Sequence, residues 1–145
     1  MSSDPEENFV DVVFDLMHVL QQALRKSLTE RRLSDAITGP RLRILWTILK
    51  TGPMRMSEIA LIMGVQPRTV TQFIDSLESA GLVARNPDPT DRRAVLIRLS
   101  EAAVPIVRMT REIIRDLNSK ITGNIESEDL AKLIVSLKKI RGNCE

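Results

Sequence analysis

The chain has one cysteine, one histidine, one tryptophan, no tyrosine and no long apolar run, and each scarcity closes off a class of protein. Cys144 has no partner for a disulfide within the subunit and no companions for a cysteine metal site, which suits a reducing compartment. His18 and Cys144 stand near opposite ends of the chain, so no Cys-His nucleophilic pair is expected. No Gly-rich loop follows an apolar strand to cradle a phosphate, and no carboxylate pair falls beside an expected cleft. The chain is therefore not read as an enzyme, and neither a cofactor nor a metal is expected. No stretch approaches the roughly 18 apolar residues that cross a bilayer. The opening MSSDPEEN is acidic where a signal peptide is basic and then apolar. A soluble, cytoplasmic protein is the expectation, with neither internal repeats nor low-complexity segments.

What is present is a single-domain length of 145 residues, 43% of them apolar, and an uneven distribution of charge. The formal net charge is only +2, yet Arg41 to Arg98 holds nine Lys or Arg against five Asp or Glu. The positive charge belongs to the middle of the chain, which points to a polyanion contact confined there.

The two flanks are helical by periodicity. Phe9, Val12, Val13, Leu16, Val19, Leu20, Ala23 and Leu24 recur at three- and four-residue steps along a first long helix. On the other side, Ser100 is a plausible N-cap for a helix striped by Val107, Thr110, Ile113, Ile114, Leu117 and Ile121. Pro105 is expected to kink that helix or move its start. A last helix opens at Ser127, carries Leu130, Leu133, Ile134, Leu137 and Ile140, and is expected to close near Gly142. Apolar stripes drawn from both ends need a partner surface, and the economical one is a second copy of the chain. The expectation is a homodimer built from regions 5–33 and 101–141.

Between them, residues 38–99 are punctuated sharply. Thr38-Gly39-Pro40 starts a helix whose buried face is Leu42, Leu45, Trp46 and Leu49, and Thr51-Gly52-Pro53 stops it. Two or three extended residues follow, then a short helix N-capped by Ser57 with Ile59, Ala60 and Met63 inward, and a turn at Gly64. Pro67 opens a further helix with Val70, Phe73, Ile74 and Leu77 on its core face, ended by Gly81. Leu82 to Arg85 and the alternating Val95, Ile97 and Leu99 read as a β-hairpin. This order makes the fold class mainly α with a small β-hairpin: a winged helix-turn-helix core flanked by N- and C-terminal dimerisation helices.

In such a unit the helix after Gly64 is free to enter a major groove by its N-terminal end and outer face. Gln66, Arg68, Thr69 and Gln72 are the expected base readers, because arginine pairs bidentately with guanine and glutamine with adenine. Arg41, Arg43, Arg55, Ser57 and Thr71 are candidate phosphate contacts. The turn Asn86-Pro87-Asp88-Pro89, with Asp91 after it, is too polar for a core, so Arg92 and Arg93 are expected at an exposed tip suited to a minor groove, with Asp91 holding the arginine in direction. His18 is read as an interface histidine, Trp46 and the methionines as core, and Cys144 as an exposed tail thiol. The competing reading is a winged-helix protein-interaction or dimerisation module without specific DNA binding.

Three segments resemble the MarR family of transcription regulators: Pro67-Arg68-Thr69-Val70-Thr71; Ile74 to Val83 with Arg85 after it; and the wing Asp91-Arg92-Arg93 leading to Leu99-Ser100. The last is the most specific, being similar to the family's Asp-x-Arg element followed by a strand ending in Leu-Thr. The resemblance covers nearly the whole chain. It implies Arg93 as the minor-groove arginine, Asp91 as its partner, Arg92 on a phosphate, and Arg68, Thr69 and Gln72 on bases. It also implies a dimer on a pseudo-palindromic double-stranded operator, often repressing and released by a small aromatic or anionic effector. The chain departs from the family's pattern at Gln66, where serine is common, and at Ala102, Ala103 and Pro105, where a glycine is common. Cys144 lies at the wrong end for the family's peroxide sensors, which carry the thiol in the first helix.

Overall fold

The computed structural model describes residues 8–145. Residues 5–7 of the expected N-terminal dimerisation region, and most of the acidic opening stretch, lie outside it. Six helices and three short strands follow in order: α1 (Phe9–Glu30), α2 (Gly39–Thr51), β1 (Met54–Arg55), α3 (Met56–Met63), α4 (Pro67–Ser79), β2 (Val83–Pro87), β3 (Val95–Leu99), α5 (Ala103–Thr122) and α6 (Ser127–Cys144). The strands form one antiparallel sheet in the order β1-β3-β2, with Met54 opposite Ile97 and Val83 opposite Leu99. The two extended residues before α3 thus add a third strand to the expected hairpin.

The core lies where α2, α3 and α4 meet the sheet and the start of α5. Leu45, Val70, Ile74, Leu77, Ile97 and Val107 are fully enclosed there. Replacing Ile74 or Ile97 by alanine would remove about 2–5 kcal/mol of stability. On α2 the buried set is Leu42, Ile44, Leu45 and Ile48, wider than the expected stripe, with Trp46 and Leu49 only half-buried. Trp46 sits at the seam between α2 and α5 rather than in the core. Its indole N–H donates to Thr110 Oγ1 at 2.8 Å, Thr110 donates to the Val107 carbonyl, and the Arg111 guanidinium lies 4.5 Å over the ring. On β3, Ile97 is buried, but Val95 stands exposed because the wing end projects past the core.

Several helix ends differ from expectation for local reasons. Ser57 does not cap α3. The Arg55 N–H donates to the Glu58 side chain at 2.7 Å, so the helix begins two residues earlier, with Arg55 as its N-cap. Of the two effects expected of Pro105, the moved start is the one seen, since α5 begins three residues after Ser100. With α5 starting at Ala103, Pro105 falls in the first turn, where the missing N–H has no helical partner to lose. Ser100 still helps, its hydroxyl accepting the Ala103 N–H at 3.2 Å and donating to the Gly81 carbonyl at 2.6 Å. Gly142 does not close α6, which continues to Cys144. Its start at Ser127 is as expected, with Glu126 in the N-cap position and Glu128 and Asp129 in the first turn favouring the helix dipole. At the end of α4, Gly81 adopts φ +73, the Leu82 N–H reaches the Leu77 carbonyl and the Gly81 N–H that of Glu78, both at 2.9 Å. That is a Schellman cap, and it turns the chain straight into β2.

The flanking helices show a different burial. Phe14 is 65% and Val19 58% exposed on α1, whose only fully buried residue is Leu28, and α6 buries none. Leu133, Ile134, Val135 and Leu137 of α6 are exposed as well.

Candidate nucleic-acid interface

The helix expected to read bases is held from behind and free in front. Val70, Ile74 and Leu77 fasten α4 to the core, and the left-handed Gly64 (φ +63) makes the tight connection from α3. Gln66, Arg68, Thr71 and Gln72 are exposed and Thr69 is half-buried, so the expected base readers share the end and outer face of one helix. Among the described residues Arg68 makes no ion pair or side-chain hydrogen bond, which leaves its donors open. The N-cap Gln66 gives no side-chain hydrogen bond to the helix, but its carbonyl takes the Thr69 N–H at 2.9 Å and the Val70 N–H at 3.3 Å, which leaves the Arg68 N–H as the open amide of the first turn among the described residues. Thr71 donates back to the Pro67 carbonyl at 3.1 Å and keeps its outward face, and Ser57 is exposed in the first turn of α3.

Arg85, expected in a strand but with no assigned role, joins this helix to the wing. Arg85 of β2 pairs with Asp75 and Glu78, which follow one another at three residues on α4. The bond from Asp75, opposed by partial burial and reinforced by Glu78, raises the Arg85 guanidinium above its usual value. The exposed carboxylate of Asp75 is thereby neutralised beside the face that would meet a polyanion. Arg98 on β3 donates to Asn86 on β2 at 2.6 Å across the hairpin.

The wing loop, residues 88–94, is built differently from expectation. Asp88, read from sequence as part of a solvated turn, is only 6% exposed. Its Oδ2 accepts from Arg55, Nε and Nη2 each at 2.7 Å, and its Oδ1 accepts the Thr90 N–H at 2.9 Å and the Thr90 hydroxyl at 2.8 Å. The Thr90 backbone and hydroxyl donors, and then Arg55, hold this carboxyl below its usual range against the opposing effect of burial. Asp91 also differs in what it holds. Its carboxylate accepts the Arg93 backbone N–H at 3.0 Å and its carbonyl accepts the Ala94 N–H at 3.0 Å, so it shapes the turn rather than gripping the Arg93 guanidinium. Arg92 and Arg93 are exposed at the tip, and among the described residues neither guanidinium has a partner.

The remaining phosphate candidates are occupied by the protein. Arg41 is half-buried, donates to the Ala36 carbonyl at 3.2 Å and lies 5.6 Å over the Phe73 ring, while Arg43 reaches the Ile62 carbonyl at 3.4 Å. Arg55 spends its fork on Asp88. The structure therefore brings together Gln66, Arg68, Thr69, Thr71 and Gln72 on α4 and Asp91, Arg92 and Arg93 on the wing, with Ser57 on α3. It commits Arg41 and Arg55 to packing and ion pairing. The signal for Arg55 was a carboxylate 33 residues away, which no local pattern reveals. His18 is exposed on α1 with Gln22 at 3.0 Å, and Cys144 is exposed. Among the described residues no cluster of three metal-ligating side chains occurs and no helix is long and apolar enough to cross a membrane.

A separate cleft of about 400 Å3 opens between the C-terminal half of α1 and the segment leading into α2. Leu24, Leu28, Leu33 and Ile37 form its apolar wall, with Arg25 and Thr38 at its edge.

Three helices with a tight turn between the second and third, followed by an anchored two-stranded wing, define a winged helix-turn-helix protein. The MarR family model matches residues 37–95, which span the helix-turn-helix and most of the wing. The multiple antibiotic resistance protein MarR of Escherichia coli (strain K12) is 27% identical over 126 residues, covering 86% of this chain and 88% of the relative. Among solved structures, the S. aureus MepR-DNA complex is 18% identical with a TM-score of 0.82, over 97% of this chain and 100% of that one. The PcaV transcriptional regulator from Streptomyces coelicolor, in complex with its natural ligand, is 16% identical with a TM-score of 0.81, over 100% and 99%. The flanking helices are thus part of the fold shared with these solved proteins.

Proposed function

We propose that the chain is a homodimeric, sequence-specific DNA-binding regulator, a repressor of nearby genes that lets go of its operator when a small molecule binds. The observation that carries this reading is the set of unpartnered donors on two elements held rigidly to each other: Arg68 and Gln72 on α4, and Arg92 and Arg93 on the wing tied to α4 through Arg85. Arg68, Thr69 and Gln72, with Gln66 at the helix entry, read base edges in the major groove. Arg93 enters the flanking minor groove, and Arg92, Ser57 and Thr71 meet phosphates.

The exposed apolar faces of α1 and α6 support the dimer. Isolated apolar side chains on a surface are ordinary, whereas continuous faces on two long helices mark an association surface. The S. aureus relative solved on DNA and the S. coelicolor relative solved with a ligand support the DNA and effector parts of the reading. For the effector, the cleft beside α1 offers an apolar wall with Arg25 and Asp35 both in its lining, which suits a small, largely apolar molecule.

The test is titration of the protein onto a labelled duplex from the region upstream of its own coding sequence, at two salt concentrations, beside a scrambled duplex. Tight binding to the native duplex that weakens steeply with salt is expected, since each phosphate contact contributes about one to the log-log slope. Equal, weak binding to both duplexes would favour the interaction-module reading instead.

A further inference from the structure

We infer that Arg55 and Asp88 form a positioning pair that fixes the wing relative to the helix-turn-helix, so that Arg93 is aimed before DNA arrives and Arg55 itself touches no phosphate. The inference rests on the DNA-binding reading above and deepens it.

A loop as long as residues 88–94 leaves the strand ladder at Pro87 opposite Val95 and would wave freely if only its ends were held. A free tip would lose conformational freedom on entering a groove, and that loss would come out of the affinity. Besides the Ala94 N–H on the Asp91 carbonyl, the structure closes the loop three times. The Asp88 N–H donates to the Ala94 carbonyl at 3.1 Å, the Asp91 carboxylate takes the Arg93 N–H, and the Asp88 carboxylate is filled on both oxygens by Arg55 and Thr90. Only the last of these reaches outside the wing.

Arg55 is placed to carry that link. It is the last residue of β1 and pairs with Leu96 of β3. Its backbone N–H starts α3 through Glu58, and its side chain clamps Asp88 while Nη2 also approaches Thr90 Oγ1 at 3.3 Å. One residue thus joins the entry of the helix-turn-helix to the base of the wing. The planar fork reaches one carboxylate oxygen through two nitrogens, a geometry that lysine cannot copy. A phosphate contact, by contrast, is made well by lysine as a point charge.

The sign of one substitution separates the two roles. Asp88→Asn removes a negative charge from the basic lobe and frees Arg55. If Arg55 were a phosphate contact restrained by Asp88, DNA binding would tighten. As a positioning pair, Asp88→Asn weakens binding on the order of tenfold, the size of effect that one well-made contact carries. Arg55→Lys keeps the charge and stays soluble and folded at a half-exposed site, so it stands in should Asp88→Asn unfold. It too should weaken binding several-fold, whereas affinity at the wild-type level overturns the inference. The decisive readout is coupling to a residue that neither partner touches. Arg93→Ala should cost on the order of tenfold in the wild-type background but less than about threefold beside Asp88→Asn or Arg55→Lys, because a misaimed wing has little left to lose. Additive losses would mean that the pair only stabilises the fold, and would overturn the inference while leaving the DNA reading in place. A wild-type protein that prefers no duplex removes the reading and the inference together.

Discussion

Under the proposed function, Arg93 is the side chain on which the wing's contribution turns. Arg93→Ala should weaken specific DNA binding by about tenfold or more, roughly 1.4 kcal/mol, with no change in the thermal midpoint, because the guanidinium is exposed and unpartnered. A substantial fall in the midpoint would place the wing tip in a packed environment and sink that role. Asp88 gives the opposite signature. Its carboxyl is held below its ordinary value of 3.8, so the stabilisation it brings is complete above that pH and is lost as the pH falls through the lower folded value. Denaturation midpoints measured between about pH 6 and about pH 2 should therefore converge for the wild type and Asp88→Asn at the acid end and separate above it. A constant gap across the range would show that the carboxylate charge is not what matters. Sequence alone disclosed Arg68, Gln72 and the wing arginines, because they stand out as cations and amides on segments whose other residues are plainly apolar or turn-forming. It did not disclose Asp88, since a proline-flanked aspartate reads as solvated unless its distant arginine is known.

At the scale of the element, the chain advertises its boundaries where backbone conformation demands a particular residue. Gly64, Pro67 and Gly81 mark α3, α4 and β2 unambiguously, since few other residues fit a left-handed turn or a helix entry. Boundaries set by a side chain borrowed from a neighbour were hidden, as with Glu58 capping Arg55 in place of Ser57. The three-residue end of α1 offers a comparison within the same protein. There Arg32 takes φ +56, with the Leu33 N–H on the Leu28 carbonyl at 3.1 Å, the cap geometry seen at Gly81 but without a glycine. An added Cβ at Gly81 meets nothing within 4 Å, so Gly81→Ala is opposed by conformation alone and should lower stability by about 1–2 kcal/mol. Arg32→Gly should move stability the other way by less than about 1 kcal/mol, part of the relief being offset by the freer unfolded chain. Urea denaturation of both variants checks the pair, and equal shifts in one direction would contradict the account.

For the whole molecule, the proposed pairing of two copies through the exposed apolar faces of α1 and α6 makes association the controlling variable. Leu16 is exposed midway along the α1 stripe, so Leu16→Asp should leave the winged lobe folded yet shift sedimentation from dimer to monomer and cut operator affinity to that of a single half-site. A dimer also fixes spacing. Inserting about five base pairs between half-sites that lie one helical turn apart puts them on opposite faces of the duplex and should abolish cooperative binding. Undiminished affinity after that insertion would mean that the two recognition helices are not rigidly paired. The order of elements could be read from periodicity. The sheet's third strand, the seam between α2 and α5, and the bracing of α4 by Arg85 could not, because each joins residues far apart in sequence through contacts that folding creates.

That seam has a practical consequence. With no tyrosine and a single tryptophan, the ultraviolet emission of the protein comes from Trp46 alone, and Trp46 sits between the winged lobe and α5 under the Arg111 guanidinium with its N–H on Thr110. The molecule therefore carries a built-in optical probe at the joint where a lobe would pivot against the dimer helices. A rotation of the lobe that separates Trp46 from Thr110 or Arg111 alters the indole's polarity and quenching, so emission wavelength and intensity follow the movement without any attached dye, in the free protein, on DNA, and as candidate effectors are added.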